Sequence, residues 1–596
     1  MWGRTCFALL VFMLPGVGRA EETPEQLLPD GAQIYFRWDG IEAHRADYEK
    51  TALGKMMQGD TGAFVNGAFG QLQESLGALL TVQQLLEGVP PKALKQLQDD
   101  AADAPKLLGE LGKHGFLLTA EVRGLEPPQV QVTLVIPDAG EKPGPLFSAL
   151  RLGMGLAKME VAEAKIAGRT VWHVTAGPVR IAWWIEGKHA MVSVGTEGPE
   201  AVLKRMQDKE TAKLAGNPLF KKVTGFKEFA TGLRGYVDVA ALVKMAKTRD
   251  KNVAQLLEDL GLDGLKSLTF YSGFDGAAER SLTEWDMPGP RKGLLRLAGG
   301  KSFKLADMPP VAPDALSWSM MNFDLGILYD EALKATEGIV GIVAADELPK
   351  IKGAIDMVDQ ALGVNLRKDL LGSLGDQFMT YSSPSEGPLS LGQTFLFKVK
   401  DAKKLQETLD QVVKGIGKAT GQDISVTKKK YRGVELNMVE FRKEGFIFVP
   451  TYAIHKDWLI VSYFPQQVEG YILRATGELP AWKPEPSTVA ALDKLPKEFV
   501  SISVSDPRPG VKQLLALAPL AGGAINSFVK ESKFDVSTIP NAQEATRHLF
   551  PNVSVVSDDG KTLRMETRAS LVMPLDLTGI DAYALFFLAT FAFRAF

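Results

Sequence analysis

Cysteine is almost missing from this chain of 596 residues: the one present is Cys6, near the N-terminus. A disulfide framework, a thiol nucleophile and a cysteine-based zinc site are therefore excluded from everything that follows it, and stability must come from burial. Histidine is also scarce, with six in the whole chain. Charge of one sign is not in excess either, since 68 basic residues face 71 acidic ones. That balance offers no electrostatic drive toward nucleic acid or an anionic membrane. No apolar run reaches the roughly twenty residues that a membrane-spanning helix needs. The sequence contains no His-Glu-x-x-His, no Gly-x-Ser-x-Gly and no EF-hand loop.

What is present begins with residues 1–20, "MWGRTCFALLVFMLPGVGRA". Arg4, an apolar stretch from Cys6 to Val17, and the small residues Gly18 and Ala20 give the pattern of a secretory signal peptide. The alternative is an uncleaved N-terminal anchor. Cleavage would remove Cys6 and leave 66 basic against 71 acidic residues, a net charge of −5. An apolar content of 45% then identifies a folded chain with ample length for two or more cores.

The chain is written twice. Leu-Leu-Gly-x-Leu-Gly occurs at Leu107–Gly112 and again at Leu370–Gly375. At the same offset, "QVTLVIPDA" (Gln131–Ala139) answers "TFLFKVKDA" (Thr394–Ala402). Alternation places Val132, Leu134 and Ile136, like Phe395, Phe397 and Val399, on one strand face toward a core. Asp138 and Asp401 follow as expected helix N-caps, with Glu141 completing a capping box in the first copy. A helical stripe, Leu405, Leu409, Val412, Val413 and Ile416, comes after Asp401. Val171 matches Val434, and "WIEGKHAMVSV" (Trp184–Val194) matches "AIHKDWLIVSY" (Ala453–Tyr463), each pair of strands joined by a polar turn. Glu200 and Arg205 answer Glu469 and Arg474. "LPDGAQIYFRWD" (Leu28–Asp39) resembles "APDALSWSMMNFD" (Ala312–Asp324), and the hairpin Phe274–Pro288 resembles Asp558–Pro574.

These matches predict an α+β fold of two tandem, internally duplicated units, each a largely antiparallel sheet covered by helices. The expected organisation is a signal peptide at 1–20, a first unit at 21–305 and a second at 306–596. They meet across a Pro-rich stretch with Pro288, Pro290, Pro309, Pro310 and Pro313.

The repeat also sifts candidate chemistry, because a residue replaced in the other copy is not required by the shared fold. His114 faces Gln377, His173 faces Leu436, His189 faces Trp458 and His455 faces Glu186, which argues against a histidine metal site. The matched pair Asp39 and Asp324 reads as helix capping rather than paired catalytic carboxylates. "GGKS" (Gly299–Ser302) lacks the upstream glycine of a phosphate loop, since position 295 is Leu. "GIGKATG" (Gly415–Gly421) ends a helix instead of opening one. "SFVK" (Ser527–Lys530) fits Ser-x-x-K, without Ser-Asp-Asn or Lys-Thr-Gly to accompany it. The basic run Lys428, Lys429, Lys430 and Arg432 reads as a solvated turn. Two apolar stretches remain: Ala63–Gly88, longer than its twin, and "AYALFFLATFAF" (Ala582–Phe593), read as a closing core element or a peripheral attachment.

The leader, the opening "LPDGAQIYF", "DLLGSLGDQFMTYSSP" and "FLFKVKDAKKLQETL" together resemble a large group of uncharacterised exported bacterial proteins, abundant in planctomycetes, that carry a domain of unknown function. The first copy departs from that pattern at Lys113-His114 and at Pro137–Gly140. The resemblance implies export and fold type, and it assigns no activity.

The resulting expectation is a non-catalytic exported protein of the periplasm or cell envelope, acting as a binding or scaffolding module. It names no catalytic, cofactor-binding or metal residue and no cofactor. The expected partner is an envelope protein or an apolar ligand, with no nucleic acid and no transmembrane helix in the mature chain. A carrier of an apolar small molecule or lipid is the alternative, and a serine hydrolase using Ser527 and Lys530 comes third.

Overall fold

A computed structural model of the chain describes residues 23–67, 70, 95–96, 99–100, 102–124, 129–140, 143–208, 210–249, 251–387, 391–421, 424–441, 448–528 and 535–571. The expected leader, most of Ala63–Gly88, Glu141, Lys530 and Ala582–Phe593 lie outside the described residues. By contact the chain divides into one compact unit of residues 1–37 and 83–225 and another of 38–82 and 226–596. No described helix is long and apolar enough to cross a membrane.

The first unit carries β1 (Ile34–Trp38), β2 (Phe116–Arg123), β3 (Gln129–Ile136), β4 (Ala162–Ile166), β5 (Arg169–Ala176), β6 (Val179–Glu186) and β7 (His189–Gly195). They pair in the order β1-β2-β3-β7-β6-β5-β4, antiparallel from β2 onward. Sequential strands join through tight turns, as at Ala167-Gly168, where both residues have positive φ as a two-residue hairpin requires. The helix Gly144–Leu156 drops Leu146 and Phe147 onto Ile136, Val174, Trp183 and Val192.

The second unit carries β8 (Ala230–Val237), β9 (Ser267–Asp275), β10 (Ala278–Asp286), β11 (Ser317–Asn322), β12 (Leu374–Ser382), β13 (Gln393–Val399), β14 (Ile424–Tyr431), β15 (Val434–Phe441), β16 (Thr451–His455), β17 (Trp458–Ser462), β18 (Ser501–Ser505), β19 (Asn552–Asp558) and β20 (Thr562–Ala569). Its antiparallel order is β14-β15-β16-β17-β13-β12-β11-β18-β19-β20-β10-β9-β8. The run from β11 to β14 repeats, strand for strand, the order of β1 to β4 in the first unit. The hairpins β9–β10 and β19–β20 meet edge to edge. With their turn glycines Gly276 and Gly560 aligned, Leu282 pairs with its own counterpart Glu566, as a half-turn rotation between hairpins requires.

Both faces of this second sheet are covered. In β13, Leu396 joins a core with Trp318, Met379, Ile460 and Ile472, while Phe397 and Val399 face Leu405, Leu409 and Val413 of the helix Ala402–Thr420. The expectation of one buried face therefore understates the packing. In β3 it is Gln131, Thr133 and Val135 that are buried alongside Ile136, with Val132 and Leu134 half-buried. The Pro-rich stretch is packed as well: Phe303, Val311 and Ala312 lie in the core of the second sheet.

Three local expectations need correction. Asp401 and Asp324 cap their helices, accepting from Lys404 N at 3.0 Å and from Gly326 N at 2.8 Å. Asp138 does not; it sits at φ 56° in a turn, donating its N–H to His189 Nδ1, because the helix starts only at Gly144. Asp39 has a further role, accepting from Arg234 at 2.6 Å. Lys428, Lys429 and Lys430 lie on β14, not in a turn, where three exposed lysines guard the outer strand of the sheet from pairing with another chain. Finally, aligning the turns Ala167-Gly168 and Arg432-Gly433 places fully buried Val171 opposite fully buried Leu436, so His173 answers Met438.

Candidate functional site

The two matched arginines organise the most developed polar clusters. Arg474 lies on the inner face of the helix Pro465–Ala475, which follows β17. It donates to Glu386 Oε1 at 2.5 Å and to the Tyr381 hydroxyl at 2.5 Å, with its guanidinium 5.5 Å from the Tyr381 ring centre. The Arg474 and Glu386 side chains are only 3% and 8% exposed. Burial raises the Glu386 carboxyl above its ordinary value even with Arg474 beside it, and burial likewise raises the Tyr381 phenol. Next to them Asp314 accepts from the Ser383 hydroxyl at 2.6 Å and the Ser385 N–H at 2.9 Å. Burial works against this carboxylate, but those bonds outweigh it and hold Asp314 below the usual range.

Arg205 occupies the same place after β7, on the helix Pro199–Gln207. It donates to Glu121 at the end of β2 and to Glu197, both at 2.7 Å. Arg123 completes a quartet by pairing with Glu197 at 2.5 Å. Here the side chains are 13–30% exposed. Beside the quartet is a small cavity lined by Leu28, Thr119, Gln131, Thr133, Arg205 and Met206, with about 20 Å³ of space. That is room for one water molecule. Gln131 Oε1 and Arg205 Nε are buried without a hydrogen-bond partner among the described residues.

A third cluster lies where β10 meets β20. Arg280 pairs with Glu566 at 2.9 Å and stacks 4.9 Å from the Phe229 ring. Arg564 reaches Glu228 at 2.5 Å and Glu566 at 2.8 Å, and Asp275 receives Arg568 and Lys494. Four cations thus meet Glu228, Asp275, Glu284 and Glu566, so the seam is neutral. Glu279 stands apart in the same strand: burial pushes its carboxyl up to about 7.

The histidines do not converge. His114 is 3.4 Å from Glu110, His44 is 3.4 Å from Asp39, and buried His189 accepts the Asp138 N–H. Burial lowers the His455 value, assisted by Lys456. Among the described residues no group of three His, Cys, Asp or Glu is placed to hold a metal ion. Of the Ser-x-x-K pair, Lys530 lies outside the described residues.

Chemically, each arginine cluster neutralises its own carboxylates and leaves little charge for an outside group. The clusters were missed at the level of sequence although the arginines matched. Glu121 and Glu386 lie 84 and 88 positions from their arginines, and only strand order brings them together. Large apolar side chains left to solvent include Ile339, Ile342 and Met357 on the helices Leu325–Val343 and Leu348–Leu362, and Leu514, Leu517 and Leu520 on the helix Pro507–Phe528.

Comparison with known proteins adds little. No family model matches the chain, and no curated protein matches it. Among solved structures it aligns with crystal forms I and III of TP0453 at 9% and 10% identity, covering 48% of this chain and 88% and 90% of the other. The TM-scores are 0.23 and 0.24, too low to support any argument from fold or function.

Proposed function

We propose that the chain is a non-catalytic exported protein of the periplasm or cell envelope, built by tandem duplication of a unit ending near residue 305, and that it acts as a binding or scaffolding module. The observation that carries this reading is the division of labour among its side chains. The arginines of its developed polar clusters are paired internally, whereas the most exposed large apolar side chains, Met357, Leu514 and Leu520, lie on helices. Such faces are characteristic of interaction surfaces. The repeated strand order and the Leu282–Glu566 pairing support the duplication.

The carrier reading requires internal volume for an apolar molecule, and the small cavity beside Arg205 has only about 20 Å³, room for one water molecule. The test is mass spectrometry of what co-purifies with the protein from its native envelope. Protein partners without a small molecule are expected. A stoichiometric lipid or metabolite would overturn the scaffold and establish a carrier.

A further inference from the structure

β4 is an outermost strand of the first unit and β14 of the second, and their side chains treat an incoming strand differently. Among the described residues β4 pairs only with β5, and β14 only with β15. With the turns Ala167-Gly168 and Arg432-Gly433 aligned, Glu163, Ala164 and Lys165 stand where β14 has Lys428, Lys429 and Lys430. Pairing β14 with a copy of itself across those positions would set lysine against lysine. β4 carries no such guard.

The hairpin dictates which backbone groups of β4 are left over. Ile166 and Arg169 close a two-residue turn and exchange both of their hydrogen bonds. Alternation then turns Ala164 and Ala162 toward Val171 and His173 of β5. The N–H and C=O groups of Glu163 and Lys165 point the other way, off the edge of the sheet. Both side chains are exposed, and neither enters an ion pair among the described residues.

We propose that β4 is a self-association edge, pairing antiparallel with β4 of a second copy about a twofold axis at Ala164. Glu163 of each copy then lies opposite Lys165 of the other. Each of these pairs exchanges both backbone hydrogen bonds and sets opposite charges side by side. The other face of the strand matches as well, since Ala162 meets Ile166 and Ala164 meets its own counterpart. Such an isologous contact requires a strand that is its own complement when reversed, and Glu-Ala-Lys is one. The second unit already uses this kind of joint, for β10 and β20 meet edge to edge through a half-turn. A contact through one five-residue strand is small, so the dimer belongs with weak, transient ones.

Charge reversal tests the register. In sedimentation velocity of the full chain, the parent should pass from monomer to dimer as concentration rises. Glu163→Lys alone, or Lys165→Glu alone, sets like charges opposite one another and should weaken the dimer about tenfold or more. Mixing the two variants should restore it, because each lysine of one chain then faces a glutamate of the other. Both positions are exposed, so neither change should disturb the fold. In a chain carrying Cys6→Ser, Ala164→Cys should link two copies by a disulfide, since the paired Cα atoms at the axis lie about 4.5 Å apart. Ala162→Cys, placed opposite Ile166, should not. A parent that stays monomeric throughout the concentration series would overturn the proposal. So would a dimer that both reversals leave intact, a mixture as weak as the single variants, or linkage through position 162 in place of 164.

Discussion

Arg205 and Arg474 stand at the same point in two strand series and are used differently. Arg474 is sealed between one carboxylate and one phenol, 3% exposed. Arg205 is 21% exposed and shares two glutamates with a second arginine. The difference shows how burial sets the stoichiometry of an ion pair. In a closed site each added charge needs its own partner, so the cluster shrinks to one pair and a hydroxyl. Where water reaches in, a quartet of two and two survives because solvent relieves its internal repulsions.

The largest effect should come from breaking the closed site. Arg474→Met leaves Glu386 buried without its cation, and a loss of about 3–5 kcal/mol is expected in chemical denaturation. Adding Glu386→Leu to that variant should restore most of the loss, because removing both partners avoids the stranded charge. A double variant as unstable as the single one would show that the site matters for packing instead.

A second contrast lies in the facing hairpins, where Glu279 corresponds to Leu563 once Gly276 and Gly560 are aligned. Burial lifts the Glu279 carboxyl from 4.5 to about 7. Between those values the folded chain holds a proton that the unfolded chain has released. Stability contributed at this position therefore falls as pH rises through that window, by about 3 kcal/mol in total. Glu279→Gln should flatten that part of the stability–pH profile, with its gain over the parent greatest above pH 7. An unchanged slope would mean that the carboxylate finds solvent when ionised.

The open quartet should respond less. Arg205→Met should cost about 1–2 kcal/mol, since Arg123 remains to serve Glu121 and Glu197. The cost should shrink with added salt, which screens half-exposed pairs more than buried ones. Equal salt dependence for Arg205→Met and Arg474→Met would erase the distinction between open and closed sites.

Much of the framework was legible in the chain. Alternation at Val132–Ile136 and Thr394–Val399 marks β3 and β13, and the Gly168 and Gly433 turns mark tight hairpins. What failed were inferences about a strand's second side. Gln131 and Thr133 alternate as a polar face yet are buried, because Val202, Arg205 and Met206 of the helix Pro199–Gln207 lie beside them. The lysines of β14 look like a turn when read singly and become edge protection only once strand order is known. The ion-pair clusters were hidden for the same reason. Matched arginines are visible in sequence, but the distant carboxylates they hold are not.

The smallest effect tests that limit at two matched aspartates. Asp401 accepts the Lys404 N–H at the start of a long helix, so Asp401→Ala should cost about 1 kcal/mol. Asp138 matches it in sequence, but among the described residues its carboxylate pairs with Lys188, at 3.0 Å, in an ion pair whose side chains are 42% and 54% exposed. Such a pair contributes little. Asp138→Ala should change stability by less than about 0.5 kcal/mol. Asp138→Gly should be neutral or slightly stabilising, because φ 56° suits glycine without strain. Equal losses for the two alanine variants, measured by denaturant titration, would mean that Asp138 serves the following helix after all and that sequence matching predicted its role better than local geometry does.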